Sequence, residues 1–410
     1  MRPVVATAPD SVAEVARTPA IRAALEWFRK ERAWINEQHL KLCRVPALTF
    51  LEEKRASYIM EQFRDLGWEA RLDRAGNVLA SLPGRREDAS VAITAHLDTV
   101  LAPRVPEDIT ISPQDGRFLG PGVSDNGAGL AALLALAALW NQSPGLLEGA
   151  PFSPLLVANV GEEGEGNLSG MRYLCRSHSA RPKAFLILDG PSTDHITCRA
   201  LASRRFEVTV SGPGGHSWND HGVGNPVHAI GRAIHCFMET VPASAGLGDG
   251  PRSSFNFGLV QGGTSINCIP TEARAKVDLR SEDASIIDRM AVQLQSAVEK
   301  ALEMENARAT GRVSARVKEI GSRPGGDLAA DAPILEAVSA VDQYLGIRSA
   351  LDCSSTDANI PLSLGLAAIS IGAGGSGGGA HTPAEWFHPE GRELGLRRIL
   401  LTLSLLLSRG

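Results

Sequence analysis

Histidines and carboxylates stand at five places along this chain, beside short apolar runs or glycine-rich segments. The first place is His96-Leu97-Asp98, which follows the apolar stretch 90–95. Residues two apart on a strand face the same side, so His96 can bind a metal while Asp98 fixes its other ring nitrogen. Taken alone, this piece is equally compatible with a histidine at the end of an ordinary strand.

The second place is a glycine-rich turn, residues 120–129, in which Asp125 precedes a long apolar stretch. The turn lacks the Gly-Lys-Ser/Thr ending of a phosphate-binding loop. Its glycines would instead let the backbone come close to a site at which Asp125 points. A helix-capping role for Asp125 is the alternative interpretation.

The other three places follow apolar runs or a glycine-rich stretch, for which a merely flexible surface segment is the alternative interpretation. Glu162 and Glu163 come after the run 155–160, Asp189 ends the run 184–188, and His381 follows the glycine-rich stretch 372–380. Two adjacent carboxylates repel each other unless a cation or a shared proton reconciles them. A solvated acidic turn is the alternative, and the apolar run before it makes that alternative less attractive.

The charges of these side chains suit a pair of divalent ions. The candidate ligands are two neutral imidazoles and three carboxylates: His96, His381, Asp125, Glu163 and Asp189. Three carboxylates and one hydroxide neutralise two divalent cations. Zinc accepts mixed nitrogen and oxygen ligands, and two metals about 3.5–4 Å apart can share a bridging carboxylate and a bridging hydroxide. Glu162 is then left to take and return a proton.

The elements that must hold these residues read as an α/β domain. Short apolar runs alternate with helix-like stretches up to about residue 198, which predicts helices packed on a mostly parallel, buried sheet. From about residue 199 a strand, a helix, two strands, a helix and a strand predict an α+β sandwich. The α/β pattern then resumes. We therefore expect a catalytic domain, 1–198 and 323–410, interrupted by an inserted domain, 199–322.

Composition excludes several classes of protein. The 410 residues are 43% hydrophobic and 21% charged, with a formal charge of −5 and no basic stripe, so no nucleic acid or membrane partner is expected. The six cysteines form no C-x-x-C pair, and the apolar runs are shorter than a membrane span. The N-terminal residues do not form a secretory signal. These features predict a cytoplasmic protein.

The ordered series of motifs resembles the M20 family of dinuclear zinc peptidases and deacylases. Besides the five places above, the resemblance includes Val210-Ser-Gly-Pro-Gly-Gly-His216-Ser, the segment 262–270 around Asn267, and Thr356-Asp357-Ala-Asn359. It runs from about residue 90 to residue 390 and includes both expected domains. The resemblance implies that the inserted domain is a lid that commonly mediates dimerisation.

The resemblance also implies a role for each candidate. One zinc would be held by His96 and Asp189 and the other by Glu163 and His381, with cobalt or manganese as possible native metals. Asp125 would bridge the two ions. The carboxylate of Asp98 would orient His96, and Glu162 would be the general base that activates a bridging water.

Three residues of the inserted domain match substrate-binding positions of the family. His216 matches a histidine that reaches the partner's active site in dimeric members and stabilises the oxyanion. Asn267 and Arg280 match residues that bind substrate, Arg280 through its forked donors. A turn asparagine and a strand-surface arginine are the plainer interpretations of these two.

The residue type at position 189 favours one branch of the family. Members that need a free amino terminus resemble this chain in having Asp there, whereas carboxypeptidases and deacylases usually have Glu. Asp189 therefore predicts an aminopeptidase similar to peptidase T, a di- or tripeptidase that acts on small peptides as a homodimer. An N-acyl-amino-acid deacylase or a carboxypeptidase on the same metal site is the alternative.

Overall fold

The computed structural model describes residues 8–85, 89–101, 110–176, 182–241 and 250–408. The chain divides into two compact units, one formed from residues 1–200 and 326–410 and the other from residues 201–325. The sequence places these two boundaries after residues 198 and 322, within three residues of the division in the structure.

Helices and strands alternate along most of the described chain. The helices are α1 (Ala8–Arg17), α2 (Pro19–Lys30), α3 (Arg32–Cys43), α4 (Glu53–Asp65), α5 (Gly127–Gln142), α6 (Ser169–Arg176), α7 (Pro226–Thr240), α8 (Ala284–Asn306), α9 (Pro333–Leu345), α10 (Asn359–Ser363) and α11 (Arg392–Ser408). The strands are β1 (Glu69–Leu72), β2 (Val78–Ser81), β3 (Ser90–His96), β4 (Ser112–Gln114), β5 (Arg117–Leu119), β6 (Ser153–Asn159), β7 (Ala184–Leu188), β8 (His195–Ala200), β9 (Ala202–Ser211), β10 (Gly215–His216), β11 (Ser253–Gly262), β12 (Cys268–Ile269), β13 (Glu272–Ser281), β14 (Ser314–Arg323), β15 (Gly326–Asp327), β16 (Ala350–Ser354), β17 (Ala368–Ile371), β18 (Ser376–Gly378) and β19 (Trp386–His388).

A mixed sheet forms the centre of the first unit. Its strand order is β1-β2-β6-β3-β7-β17-β8-β15, with β16 paired beside β8. The central neighbours β6, β3, β7 and β17 run parallel, and the pairs β1–β2, β2–β6 and β8–β15 are antiparallel. Every residue of β3, β6 and β7 is buried, which is the pattern of strands covered on both faces. The expected α/β domain is confirmed, with its parallel part at the centre.

Two further elements of this unit bear on the site. Helix α5 is almost wholly Ala and Leu and is buried nearly throughout, and the side chain of Asn126 accepts a hydrogen bond from the Gly129 N–H at its start. A small sheet of order β18-β19-β5-β4 brings β19, from near the end of the chain, against β5. The loop before α5 and the segment before β19 therefore lie side by side.

The second unit is a four-stranded antiparallel sheet of order β11-β13-β9-β14. Alternate residues of β13 are buried, and they share a core with apolar side chains of β9, such as Val208, and of helices α7 and α8, such as Phe237 and Leu294. Helix α7 begins at Pro226, and the side chain of Asn225 caps it by accepting a hydrogen bond from the Val227 N–H. In the part of the chain that the structure describes, no helix is long and apolar enough to cross a membrane.

Candidate metal centre

Three neighbouring parallel strands end at one place in the first unit. His96 is the last residue of β3, Asp189 directly follows β7, and Glu162 and Glu163 follow β6. Because β6, β3 and β7 are adjacent and parallel, their carboxyl ends meet at one edge of the sheet, where open α/β sheets bind ligands.

Asp125 lies between the two histidines. Its Oδ1 atom is 3.0 Å from His96 Nε2, and its Oδ2 atom is 3.1 Å from His381 Nε2. A second carboxylate accompanies each histidine, because Glu163 Oε1 lies 2.7 Å from His381 Nε2 and Asp189 Oδ1 lies 3.8 Å from His96 Nε2. The structure thus brings together all five candidate ligands, and each histidine lies beside the carboxylate that the family resemblance assigns to it.

The donor atoms fit a divalent cation. His96, Asp125 and Glu163 each offer one ligand atom, and these atoms all lie within 4.8 Å of one another. Imidazole nitrogens with carboxylate oxygens are a ligand set that zinc and its neighbours in the first transition row accept. The residues present therefore fit a metal centre.

The electrostatics of the cluster point the same way. Burial disfavours the charged form of His96, but contacts with Asp125 and Asp189 outweigh it and hold its pKa well above the usual value. Hydrogen bonds that His381 donates to Asp125 and Glu163 raise the pKa of His381 to about 10. Burial of Asp125 opposes its ionisation, yet the two histidines keep its pKa below the usual value. The carboxylates thus stabilise positive charge here, as a divalent cation would provide.

The contact of His96 with Asp98 differs from the predicted one. The ring Nδ1 lies 2.9 Å from the main-chain carbonyl of Asp98 and 3.6 Å from its carboxylate. The carboxylate instead accepts hydrogen bonds from the N–H groups of Glu162, at 3.0 Å, and Glu163, at 2.9 Å. Both of its oxygens are occupied by the next loop, so the carbonyl makes the nearer contact with the histidine.

We call residues 160–163 the Glu162 loop. Its three successive N–H groups, at 161–163, all donate to buried carboxylates. The N–H groups of Glu162 and Glu163 donate to Asp98, and the Gly161 N–H donates to Glu52 Oε1 at 3.1 Å. Glu162 itself is 5% exposed and directly precedes the candidate ligand Glu163. One tightly held turn therefore presents both glutamates.

We call residues 120–126 the Asp125 loop, and it is held by residues that the sequence interpretation missed. Glu385 accepts hydrogen bonds from three of its N–H groups, and His39 Nε2 donates to the Val123 carbonyl at 2.7 Å. Asn126 also links the loop to the segment around Asp189, because it contacts the Leu188 carbonyl and the Gly190 N–H. The one available signal was an acid, Glu385, set beside the apolar pair Trp386-Phe387.

The motif at residues 356–359 lies behind the carboxyl end of β6. Asp357 is 1% exposed and accepts a 2.6 Å hydrogen bond from the Asn159 side chain. Burial raises the pKa of Asp357 to about 7. Since Asn159 is the last residue of β6, Asp357 supports the strand end from which the Glu162 loop departs.

In the second unit, His216 and Asn267 lie near each other. His216 pairs with Cys268 between β10 and β12, and the Ser217 N–H donates to the Asn267 carbonyl at 3.0 Å. His216 is exposed, and its Nδ1 accepts from the Trp218 N–H at 3.2 Å, so in the neutral ring the proton sits on Nε2.

The structure does not bring Arg280 beside these two residues. Arg280 lies eight residues along β13 from Glu272, about 26 Å at the rise of an extended strand. There it donates to Asp278 Oδ2 at 2.6 Å. The three predicted substrate residues are thus spread over the unit.

Comparison with known proteins identifies the family. The model of peptidase family M20/M25/M40 matches residues 92–404. This chain belongs to that family. A cytosol non-specific dipeptidase of Escherichia coli is 26% identical over 272 residues, which cover 60% of this chain and 53% of the relative. A succinyl-diaminopimelate desuccinylase of Paracoccus denitrificans is 28% identical over 239 residues, 54% of this chain and 60% of the relative. This M20 chain thus spans between half and two thirds of the length of these curated relatives.

Solved structures share the fold. A tripeptidase from Staphylococcus aureus superposes with a TM-score of 0.73 at 18% identity, covering 92% of this chain and 98% of that one. A dinuclear metal-binding M20 peptidase from Bacillus subtilis gives a TM-score of 0.63 at 16% identity, covering 92% and 99%. This M20 chain therefore has the architecture of both.

Proposed function

We propose that this M20 chain is a dinuclear metal-dependent exopeptidase that removes the first residue of small peptides. The observation that carries the proposal is the position of Asp125, which presents one carboxylate oxygen to His96 Nε2 and the other to His381 Nε2. A carboxylate placed between two imidazoles suits the bridging position of a two-metal site.

The residues that would hold the ions follow from the same contacts. His96 and Asp189 would bind one ion, Glu163 and His381 the other, and Asp125 both. Two divalent ions, zinc or alternatively cobalt or manganese, would supply Lewis-acid polarisation of the scissile carbonyl.

The proton work is assigned to Glu162. As general base it accepts a proton from the attacking water, and it then returns the proton to the leaving amine. Burial of Glu162 and the hydrogen bond from its own N–H to Asp98 fix the main chain from which it acts. The proposed part of Asp98 is therefore to hold the Glu162 loop, in addition to its contact with His96.

We further propose that the protein acts as a homodimer through the inserted unit, with His216 stabilising the oxyanion in the partner's site. The exposed ring of His216, with its proton on Nε2, supports this role, because an oxyanion needs a donor. Asn267, on the loop beside His216, is proposed to bind substrate, and so is Arg280. A cytoplasmic location agrees with the name of the Escherichia coli relative.

The choice of an aminopeptidase rests on Asp189, which the structure places 3.8 Å from His96. The likeness of fold to a tripeptidase supports it. A deacylase on the same metal site is the second candidate, and the similarity to a desuccinylase favours it.

One assay separates these activities. The metal-loaded protein is incubated with a mixture of di- and tripeptides, each with a free and an N-acetylated amino terminus, and the products are read by mass spectrometry. Loss of the first residue from the free-amine peptides alone supports the aminopeptidase. Consumption of the acetylated peptides alone transfers the proposal to the deacylase. The Glu162→Gln protein, prepared identically, controls for contaminating peptidases.

A further inference from the structure

Glu385 is a buried acid that reaches the Asp125 loop from near the end of the chain. It directly precedes β19, and the pairing of β19 with β5 brings it beside the loop that follows β5. Its carboxylate accepts hydrogen bonds from Gly122 N–H at 2.8 Å, Ser124 N–H at 2.7 Å and Asp125 N–H at 2.9 Å. Its main-chain carbonyl accepts a fourth, from Gly120 N–H at 2.9 Å.

The burial of this carboxylate requires a physical reason. Glu385 is 3% exposed, and among the described residues no salt bridge joins it to a cation. A buried carboxylate is costly unless hydrogen bonds compensate it, and three charge-assisted bonds from main-chain N–H groups do so here. Without Glu385, these N–H groups would be left in the interior without their acceptor.

These bonds are not helix capping. Helix α5 begins at Gly127, and Asn126 supplies its cap. Glu385 instead fixes the residues before the helix, and the last of them is Asp125. His39 donates to the Val123 carbonyl of the same loop, so side chains bind both N–H groups and a carbonyl group of the loop.

We propose that Glu385 is a positioning residue for Asp125. By fixing the N–H of Asp125 and of the two nearby residues, it sets the main chain so that the Asp125 carboxylate can face both histidines. Glu385 contacts neither histidine nor substrate in this scheme, and it acts only through the loop. The inference rests on the proposed function, because it assigns Asp125 to the metals.

The test compares Glu385→Gln with Glu390→Gln. Gln keeps the size of the side chain but places an NH₂ group against at least one main-chain N–H. Glu390 is an exposed acid five residues away, so its change removes the same charge without touching the loop. Three quantities are measured: hydrogen exchange of peptides spanning 120–127, affinity for Zn²⁺ by titration, and kcat and KM.

We expect Glu385→Gln to exchange faster at 122–125, to bind Zn²⁺ about 10–100-fold more weakly and to lose kcat by a similar factor, with KM little changed. Glu390→Gln is expected to match the wild type. Wild-type exchange or wild-type Zn²⁺ affinity in Glu385→Gln would overturn the proposal. A purely structural Glu385 would lower the melting temperature and leave Zn²⁺ affinity unchanged.

Two further provisions keep the test decisive. If Glu385→Gln does not fold, Glu385→Asp takes its place, because its shorter side chain keeps the charge and still withdraws from the loop; the same two outcomes apply. The exchange measurement needs no substrate. A wild-type protein that binds Zn²⁺ but cleaves no peptide would therefore refute the proposed function while the role of Glu385 is still decided.

Discussion

The Glu162 loop and the Asp125 loop are held by the same physical device, supplied from different distances. In each loop, main-chain N–H groups donate to buried carboxylates. The N–H groups of the Glu162 loop donate to Asp98 and Glu52, and those of the Asp125 loop donate to Glu385. The two loops also meet at one atom, since Asp125 and Glu163 both contact His381 Nε2.

The difference between the loops lies in what their supports also do. Asp98 belongs to the segment that follows β3. Its carboxylate lies 3.6 Å from His96 and also holds the loop with the proposed base and one proposed ligand. Glu385 holds a loop with one proposed ligand and no proposed base. Damage to the Glu162 loop is therefore expected to lower activity more than equal damage to the Asp125 loop.

The largest effect is expected from Glu162, the proposed base, which only the Glu162 loop carries. Glu162→Gln should lower kcat about 100- to 10,000-fold, because general-base catalysis contributes that much. Metal content, measured by elemental analysis, should stay at the wild-type value. Glu165→Gln, an exposed acid three residues on, is the control. A Glu162→Gln protein that keeps a tenth of the activity would remove Glu162 from the mechanism.

The substitution Asp98→Asn tests whether the carboxylate that holds the Glu162 loop matters more for activity than Glu385, which holds the Asp125 loop. The single carbonyl oxygen of Asn cannot accept from both Glu162 N–H and Glu163 N–H as the two carboxylate oxygens do, so we expect both glutamates to shift. We expect kcat/KM to fall about 10–100-fold, and by more than in Glu385→Gln. Asp327→Asn, at an exposed aspartate, should have no effect on steady-state kinetics. A smaller loss in Asp98→Asn than in Glu385→Gln would reverse the ranking of the two loops.

Packing behind the Asp125 loop is tested at Gly127. A Cβ atom there would lie 2.5 Å from the Gly122 carbonyl oxygen and 2.7 Å from His39 Nε2. Gly127→Ala should therefore lower the free energy of unfolding by about 1–3 kcal/mol in denaturant titrations. Gly231 is an exposed helical glycine with open space around its Cβ position, and Gly231→Ala should raise that free energy by about 0.5–1 kcal/mol. Equal changes in the free energy of unfolding at the two glycines would show that the Asp125 loop can shift to accommodate the added methyl group.

The smallest effect concerns pH. Burial and the nearby Arg392 hold the pKa of His39 well below its usual value, so the folded protein keeps this ring neutral. The unfolded chain binds a proton there below about pH 6.5, so the free energy of unfolding falls as the pH drops. Between pH 6.5 and 5 the loss from this group is about 1–2 kcal/mol. His39→Gln should show a correspondingly flatter dependence in the same range, and an unchanged slope would contradict the assignment.

The comparison also shows how far sequence reasoning extends. His96, Glu163 and Asp189 could be predicted because each lies at or shortly after the end of an apolar strand, and adjacent parallel strands must bring their ends together. Asp98 was found for the same reason, but its contacts were not, because the sequence does not say which of its oxygens faces the next loop.

Glu385 and His39 could not be found in this way. Glu385 lies 263 residues from Gly122, and His39 lies 84 residues from Val123. Contacts between residues so far apart in the sequence leave no periodic pattern in it. They form only when β19 pairs with β5 and α3 packs beside the Asp125 loop. Strand β8 gives no clear signal in the sequence for a local reason, because its six residues mix polar and apolar types and show no sustained apolar run.

The distance between Glu385 and its loop also has a consequence for biosynthesis. A ribosome adds about 5–20 residues per second, so Gly122 leaves the peptidyl transferase centre roughly 13–53 s before Glu385 does. During that interval the unit formed by residues 201–325 is synthesised in full and has its own core. The nascent Asp125 loop meanwhile lacks its acceptor, so the candidate metal centre is completed only when the final segment of the chain emerges.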